Sequence, residues 1–190
     1  MKRGEGKTVV LILLLGLLIF ISLIADRQLV AKIVGARSLI ADFYFIEFSL
    51  IFTKLFIVGA VSVFLLSKPR YLVPWWVGAF VTMVIGYWLK TVVERPRPFM
   101  EFSDIVALVA KSGFSFPSVT TAVAFAALPI IKHQYKGTIF GFWVVFAVLV
   151  AFSRVYMGIH YVSDVLAGAL LGLLIGKIAL LTFESFVEKK

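Results

Sequence analysis

Long apolar runs constrain the fold of this chain more strongly than any single motif does. A transmembrane helix needs about 20 predominantly apolar residues, and six runs of spanning character can be drawn in the sequence. They cover residues 8–25, 41–66, 72–93, 118–131, 137–155 and 161–183, the fourth being the shortest. Backbone polar groups inside a bilayer must be satisfied within the protein, which favours helices. We therefore predict an all-α integral membrane protein, a bundle of six transmembrane helices.

The composition agrees with a membrane protein. Hydrophobic residues make up 62% of the chain and charged residues 15%, which would leave a soluble domain too little polar surface to cover itself. A net charge of +9 could suggest nucleic acid, but the basic residues cluster at the ends of apolar runs. Such clusters are typical of topology signals and lipid headgroup contacts. The expected partner is the bilayer, with no nucleic acid, and the sequence does not indicate an oligomeric state.

Several kinds of catalytic centre are excluded by residue counts. The chain has no cysteine, so a thiolate metal site and a cysteine nucleophile are impossible. It has two histidines, His133 and His160, too few for a polyhistidine metal centre. We therefore expect no metal and no cofactor.

The segment between the third and fourth runs differs from the rest of the chain. Residues 94–117 contain Pro96, Pro98 and Pro117 and cannot form one continuous helix. Within it, residues 104–111 alternate apolar and polar side chains at helical spacing, and they are too few to span a bilayer. This pattern predicts a short interfacial helix between spans 3 and 4. No repeat or linker divides the chain, so residues 1–190 are interpreted as a single domain.

Alternating spans would bring distant polar residues to the same membrane face. At that face the third and fifth spans end, and the fourth and sixth spans begin. The polar residues at these ends are Lys90, Arg97, Ser118, Arg154, His160 and Asp164. Three cations gathered at one place favour a multiply charged anion as ligand.

A phosphate would suit these side chains. Arg97 and Arg154 can each donate in forked geometry, and Lys90 can act as a point charge. His160 and Asp164, four residues apart at a predicted helix start, share one face. The carboxylate can fix the imidazole tautomer and leave the other nitrogen free to attack phosphorus. Taken singly, each cation is also consistent with an interfacial anchor, and the His–Asp pair is consistent with an ordinary pair at a helix N-terminus. Together they favour a phosphate site.

These residues resemble a known family. Lys90-x6-Arg97-Pro98, Pro117-Ser118 and Ser153-Arg154-x5-His160-x3-Asp164 are similar to the three signature motifs of the type 2 phosphatidic acid phosphatase superfamily, which includes membrane lipid phosphatases, glucose-6-phosphatase and vanadium haloperoxidases. The resemblance implies a six-span, phosphatase-like domain in which His160 is the nucleophile that forms a phosphohistidine. Asp164 would orient it. The implied phosphate ligands are Lys90, Arg97, Ser118, the Val119 backbone N–H and Arg154.

The second motif departs from the family pattern. The family has Pro-Ser-Gly-His, whereas this chain has Val119-Thr120 after Pro117-Ser118. The missing histidine is the family's general acid, and a threonine hydroxyl cannot replace it near neutral pH. His133 lies thirteen residues along the same predicted helix, about 20 Å away, and cannot take its place. Thr120 is thus a degenerate general-acid position.

We expect a membrane lipid phosphatase or phosphotransferase that acts on a lipid phosphate or pyrophosphate through a phosphohistidine. The leaving group of a lipid pyrophosphate is a lipid phosphate, which departs as a stable anion and needs an acid less. A pyrophosphate substrate would therefore reconcile an intact nucleophile with Thr120. The alternative is a catalytically weak lipid-phosphate binder or transporter that uses the same pocket. A third explanation of Thr120 is an engineered substitution in an otherwise ordinary enzyme.

Topology follows from the span count and the positive charges. Residues 8–25 are long enough to span and lack a small-x-small cleavage pattern, so they are interpreted as a retained first span rather than a signal peptide. Six spans put both termini on one side. The cations on the two sides are nearly equal in number, and setting aside Lys90, Arg97 and Arg154 favours cytoplasmic termini. We expect a plasma or inner membrane protein with its active site on the opposite face.

Overall fold

A computed structural model describes the backbone of residues 3–51 and 54–188 and the side chains of residues 16–17, 20–47 and 57–188. The described chain is helical, with no strand in those ranges, which confirms the all-α prediction. The helices are α1 Arg3–Gly35, α2 Leu39–Ile51, α3 Lys54–Leu65, α4 Leu72–Val93, α5 Pro98–Glu101, α6 Val119–Gln134, α7 Gly137–Tyr156 and α8 Val162–Val187, with a 3-10 turn at Pro69–Tyr71 before α4.

Among the described residues, three segments are long and apolar enough to cross a membrane: Pro69–Glu101, Gly137–Tyr156 and Val162–Val187. Large apolar side chains such as Trp88 on α4 and Phe142 on α7 are exposed rather than packed inside the protein. Such a surface is stable in contact with lipid and costly in water. The chain is therefore an integral membrane protein.

The shortest predicted span has a structural explanation. Helix α6 lies at the centre of the bundle and packs against α3, α4, α7 and α8. Its buried positions lie all around the helix, from Val119 to Ile131. A helix enclosed by other helices does not need to cover the whole thickness of the bilayer with its own apolar surface, because its neighbours meet the lipid.

Helices α6 and α8 approach each other closely along a row of glycines. Gly168, Gly172 and Gly176 follow one another at intervals of four on α8 and face the α6 backbone. A Cβ atom at Gly172 would lie 2.1 Å from the carbonyl oxygen of Ala122, and one at Gly176 would lie 2.1 Å from that of Ala126. Small residues at this spacing let two membrane helices pack backbone to backbone. This contact fixes the start of α8 beside the start of α6.

The glycine row supplies a stability prediction. We expect Gly172→Ala to lower the unfolding free energy by about 1–3 kcal/mol or more, because backbone atoms cannot move aside as a side chain can. Gly141→Ala on α7 is the matched control, since no atom lies within 4 Å of its Cβ position. Thermal unfolding in detergent should show a lower midpoint for Gly172→Ala alone. Equal midpoints for the two variants would contradict the packing.

Contacts at the two ends of the bundle show which helix ends lie together. At one end, His133 of α6 pairs with Glu184 of α8 at 2.7 Å. At the other end, the Ser118 N–H before α6 donates to the Asp164 carbonyl oxygen of α8 at 3.0 Å. The C-terminal end of α4 and the start of α8 meet at this second end, where Arg95 pairs with Asp164. We call this end of the bundle the site face.

The predicted interfacial helix at residues 104–111 is wrong, because these residues form irregular structure. Their backbone groups bond to distant parts of the chain instead of to each other. The Leu108 N–H donates to the Met157 carbonyl at 3.1 Å, and Arg37 Nη1 donates to the Val106 carbonyl at 2.7 Å. Ile105 is buried. These tertiary contacts outweigh the helical spacing, and the only helix described between α4 and α6 is the single turn of α5.

The first two predicted spans fall partly outside the described residues. Residues 8–25 lie within α1, although most of their side chains are not described. Residues 41–65 are covered by α2 and α3, with positions 52–53 outside the described backbone, and Leu66 lies in the turn after α3.

Candidate active site

The structure brings the six predicted polar residues to the site face. Lys90 lies in the last turn of α4, Arg154 in the last turn of α7 and Asp164 in the first turn of α8. Ser118 immediately precedes α6, and Arg97 immediately precedes α5. His160 lies in the connection between α7 and α8.

Hydrogen bonds join these segments into one cluster. Arg97 Nη1 donates to the Ile159 carbonyl at 2.8 Å, directly beside His160. Lys90 Nζ donates to the Ser115 carbonyl at 2.9 Å, in the segment that leads to Ser118. The site therefore depends on backbone contacts between segments that are far apart in sequence.

His160 and Asp164 form the predicted pair. Asp164 Oδ2 lies 3.3 Å from His160 Nδ1 and accepts the Tyr161 backbone N–H at 2.9 Å. Asp164 is fully buried, and His160 is 5% exposed. A carboxylate can only accept in such a contact, so Nδ1 carries the hydrogen and Nε2 keeps its lone pair. This is the tautomer that a nucleophilic imidazole requires.

The surroundings keep His160 neutral. Burial lowers the pKa of the imidazole from 6.5 to about 4, because an apolar environment disfavours the charged form. Asp164 opposes this shift and raises the pKa, whereas the positive charges of Lys90 and Arg97 lower it further. At pH 7 the side chain is therefore unprotonated at Nε2 and can act as a nucleophile.

Arg154 is a buried cation with an unused donor. It is 5% exposed, and its Nε donates to the Ser153 hydroxyl at 3.1 Å. Its Nη2 is the buried side-chain nitrogen for which the described part of the chain supplies no hydrogen-bond acceptor. A buried charge without a partner is costly. An anion with several acceptor oxygens would satisfy this nitrogen.

Arg97 and Lys90 donate several hydrogen bonds to backbone carbonyls, which the sequence does not predict. Arg97 Nε donates to the Gly113 carbonyl and Nη2 to that of Ser112, besides the bond from Nη1. A guanidinium has five N–H groups, so two remain for an anion. Lys90 Nζ donates to the carbonyls of Phe114 and Ser115. Both cations thus also organise the segment that precedes Ser118.

The departure in the second motif is accommodated by packing. Val119 is buried, and its Cγ2 would lie 2.9 Å from a Cβ at Gly86. The valine therefore fits because α4 has a glycine opposite it. Thr120 is half-buried in the first turn of α6, and Ser118 Oγ accepts the Thr121 hydroxyl at 3.0 Å.

The acidic residues that could replace the missing histidine are Glu94, Glu101 and Asp104, and Glu94 is solvent-exposed. His133 is paired with Glu184 at the far end of α6, as the helix length predicted. Glu101 accepts the Tyr161 hydroxyl at 2.5 Å. Asp104 is solvent-exposed, 3.9 Å from Arg27. No group of three His, Cys, Asp or Glu side chains arranged to hold a metal occurs among the residues that the structure describes.

Two charged residues of the site were missed by the sequence analysis. Arg95 Nη1 donates to Asp164 Oδ1 at 2.9 Å, and Arg95 Nη2 donates to Asp26 Oδ2 at 2.8 Å. In the sequence Arg95 stands between Glu94 and Pro96, and no spacing singles it out from the other basic residues at span ends. Asp26 follows the first apolar run and was not considered. An ionisable residue beside a predicted span is a signal that could have singled it out.

Comparisons with known proteins find curated relatives of this chain. A phosphatidylglycerophosphatase B from Bacillus subtilis (strain 168) is 39% identical over 116 residues, which are 53% of this chain and 55% of that protein. The undecaprenyl-diphosphatase BcrC of the same organism is 32% identical over 98 residues, 50% of this chain and 48% of that protein. The chain thus spans about half the length of the curated relatives it matches.

Similarity extends further in three dimensions. The crystal structure of Aquifex aeolicus LpxE aligns with a TM-score of 0.76 and 29% sequence identity, covering 82% of this chain and 94% of that chain. In the sequence itself, residues 71–187 match the family model of the PAP2 superfamily. This segment includes every motif residue from Lys90 to Asp164. Because this match covers more than half of the sequence and contains His160, Asp164 and the other motif residues, the chain belongs to the PAP2 superfamily.

Proposed function

We propose that this protein is a membrane phosphatase that removes phosphate from a phosphorylated or pyrophosphorylated lipid through a phosphohistidine. The observation that carries the proposal is the contact of His160 Nδ1 with the buried Asp164, among cations that include a buried Arg154 nitrogen without an acceptor in the described chain. The named relatives that act on lipid phosphates support it.

The chemistry divides into two displacements. His160 Nε2 attacks phosphorus, a phosphorus–nitrogen bond forms, and the bond to the lipid oxygen or bridging phosphate oxygen breaks. Asp164 stabilises the positive charge on the imidazole, while Arg154, Arg97 and Lys90 offset the phosphoryl charge. Water then attacks the phosphohistidine, which releases inorganic phosphate and restores the neutral imidazole. Transfer to another acceptor differs only in replacing water by that acceptor.

Thr120 favours one class of substrate. A lipid alkoxide must receive a proton as it leaves, and Thr120 cannot supply one at neutral pH. A lipid phosphate leaving from a pyrophosphate departs as a stable anion. Lipid pyrophosphates are therefore the substrates that this site suits better. The same residue favours the second candidate function, a lipid-phosphate binder or transporter with little turnover.

Phosphate release from a panel of lipids separates these functions. Purified protein should release phosphate from lipid pyrophosphates faster than from lipid monophosphates, and vanadate should inhibit it by occupying the phosphate site. Binding of both lipid classes without release of phosphate from either would favour the binder instead.

We also propose the number of spans and the membrane side on which the termini lie. Six spans, with α2 and α3 together forming the second, would place both termini on the cytoplasmic side and the site face on the opposite side. The paired ends of α6 and α8 at His133 and Glu184 support this arrangement, because they lie away from the site face. The membrane would be the plasma membrane or a bacterial inner membrane.

Cysteine labelling tests this topology, and the cysteine-free sequence makes it simple. Ser103 lies at the site face and Thr138 at the start of α7, and both side chains are exposed. In intact cells an impermeant maleimide should label Ser103→Cys and spare Thr138→Cys. Opened membranes should allow labelling of both. Labelling of both cysteines from one side would reject the six-span arrangement.

A further inference from the structure

One arginine connects the first helix to the His–Asp pair. Arg95 donates to two carboxylates and a hydroxyl. Its Nη1 donates to Asp164 Oδ1 at 2.9 Å and to Ser163 Oγ at 2.6 Å, and its Nη2 donates to Asp26 Oδ2 at 2.8 Å. Its Cζ lies 3.8 Å from the centre of the Tyr161 ring, which supports the guanidinium from one side. The fork geometry of arginine suits this bridge, whereas lysine would provide one point charge.

Asp26 also binds the start of α8. Its Oδ1 accepts the Ser163 backbone N–H at 3.0 Å, and its Oδ2 accepts the Ser163 hydroxyl. The first backbone N–H groups of a helix have no acceptor within the helix. A buried carboxylate of α1 thus satisfies one of those groups beside Asp164. Asp26 lies outside the segment matched by the PAP2 superfamily, residues 71–187.

The bridge also balances charge around Asp164. Asp164 Oδ2 faces His160 and the Tyr161 N–H, while its Oδ1 accepts from Arg95. Removing the cation from a buried ion pair leaves an uncompensated buried charge and is strongly destabilising. Arg95 offsets the negative charge, so Asp164 can accept from His160 Nδ1 without pulling a second proton onto the imidazole.

We propose that Asp26 and Arg95 are positioning residues for catalysis: α1 holds Arg95, and Arg95 holds Asp164 in the orientation and charge state that keep His160 nucleophilic. The expected effect on kcat rests on the proposed phosphatase function. The contacts that join Asp26, Arg95 and Asp164 rest on the geometry alone. The other charged groups that act on His160 are Lys90 of α4 and Arg97 of the following segment, and both stay unchanged in the variants below.

The test compares Arg95→Gln and Asp26→Asn with a control from the same helix. Arg27→Gln removes the charge next to Asp26, and its side chain is 60% exposed, 3.9 Å from Asp104. We expect Arg95→Gln to lower kcat about tenfold to a hundredfold with a smaller change in KM, because the reacting nitrogen is misplaced. Asp26→Asn should act in the same direction, and Asp26→Glu should recover part of the loss.

A measurement on His160 tests the proposal without turnover. In a His133→Asn background with ¹⁵N-labelled histidine, the imidazole signals come from His160 alone. Burial places its pKa at about 4 in the native protein, and we expect Arg95→Gln to move the titration midpoint upward. The Asp26→Asn/Arg95→Gln double variant should lose about as much kcat as the more damaging single variant, and less than the product of the two fold-losses, because the residues act as one unit.

Several results would overturn the proposal. One is a folded Arg95→Gln protein with native kcat and a native His160 titration. Another is a loss confined to KM with an unchanged titration, which would indicate substrate binding rather than positioning. A third is an equal effect of Arg27→Gln. If the native protein releases phosphate from no lipid, the proposed function fails, and the His160 titration still decides this proposal.

Discussion

Replacing His160 by alanine is expected to abolish phosphate release from every lipid substrate, a loss on the order of 10⁴- to 10⁶-fold. The reason is that His160 supplies the atom that bonds to phosphorus, and no other group in the mechanism can take over this step. Phosphate release by purified protein in detergent or liposomes measures the effect. His160 lies in a short connection, so the fold should survive, which a thermal unfolding midpoint can check.

The matched control is His133→Ala. It removes the other histidine, at the far end of α6, and with it a pair to Glu184 at 2.7 Å. We expect His133→Ala to retain activity near the native level. Full activity in His160→Ala, or equal losses in both variants, would contradict the assignment of the nucleophile.

Restoring the missing general acid should produce the second large effect. We expect Val119→Gly/Thr120→His to accelerate hydrolysis of lipid monophosphates about a hundredfold to ten-thousandfold, because their alkoxide leaving groups need a proton. Lipid pyrophosphates should gain less, since their leaving group is already a stable anion. Steady-state phosphate release with both substrates, on the double variant and each single change, measures the difference.

Packing suggests a refinement of that experiment. Val119 fills the space opposite Gly86, so Val119→Gly opens a gap there. Gly86→Ala should refill it, because the three atoms nearest to its Cβ position belong to Val119. The triple variant should therefore be more stable than the double variant and similarly active. A triple variant that folds and binds lipid phosphate yet hydrolyses neither substrate would refute the idea that only the general acid is missing.

Much of the site could be predicted because it depends on short spacings and alternating helices. His160 and Asp164 are four residues apart at a predicted helix start, and this spacing predicts that their side chains lie on the same side. Arg154 and Ser118 followed from the ends of apolar runs. Their roles in catalysis remain predictions that the experiments above address.

What could not be predicted depends on contacts between distant segments. Arg95 meets Asp26 across 69 residues, and no local pattern reveals which carboxylate an arginine will reach. Residues 104–111 have helical spacing, yet Val106 and Leu108 bond to Arg37 and Met157 instead. Tertiary contacts outweighed local propensity there.

The glycine row is an intermediate case. Gly168, Gly172 and Gly176 stand at a spacing visible in the sequence, and this spacing predicts a close helix contact. The sequence does not say that α6 is the partner. That choice follows from the three-dimensional arrangement, in which Ala122 and Ala126 offer a backbone without large side chains.

Capture of the phosphoenzyme is the sharpest test of the phosphohistidine mechanism. Protein incubated with a lipid pyrophosphate labelled with ³²P on its terminal phosphate, and quenched in alkali, should carry an acid-labile label. Mass spectrometry of the digested protein should place the phosphoryl group on His160, and His160→Ala should carry none. Label on another residue, or phosphate release by a protein that never becomes labelled, would contradict the account.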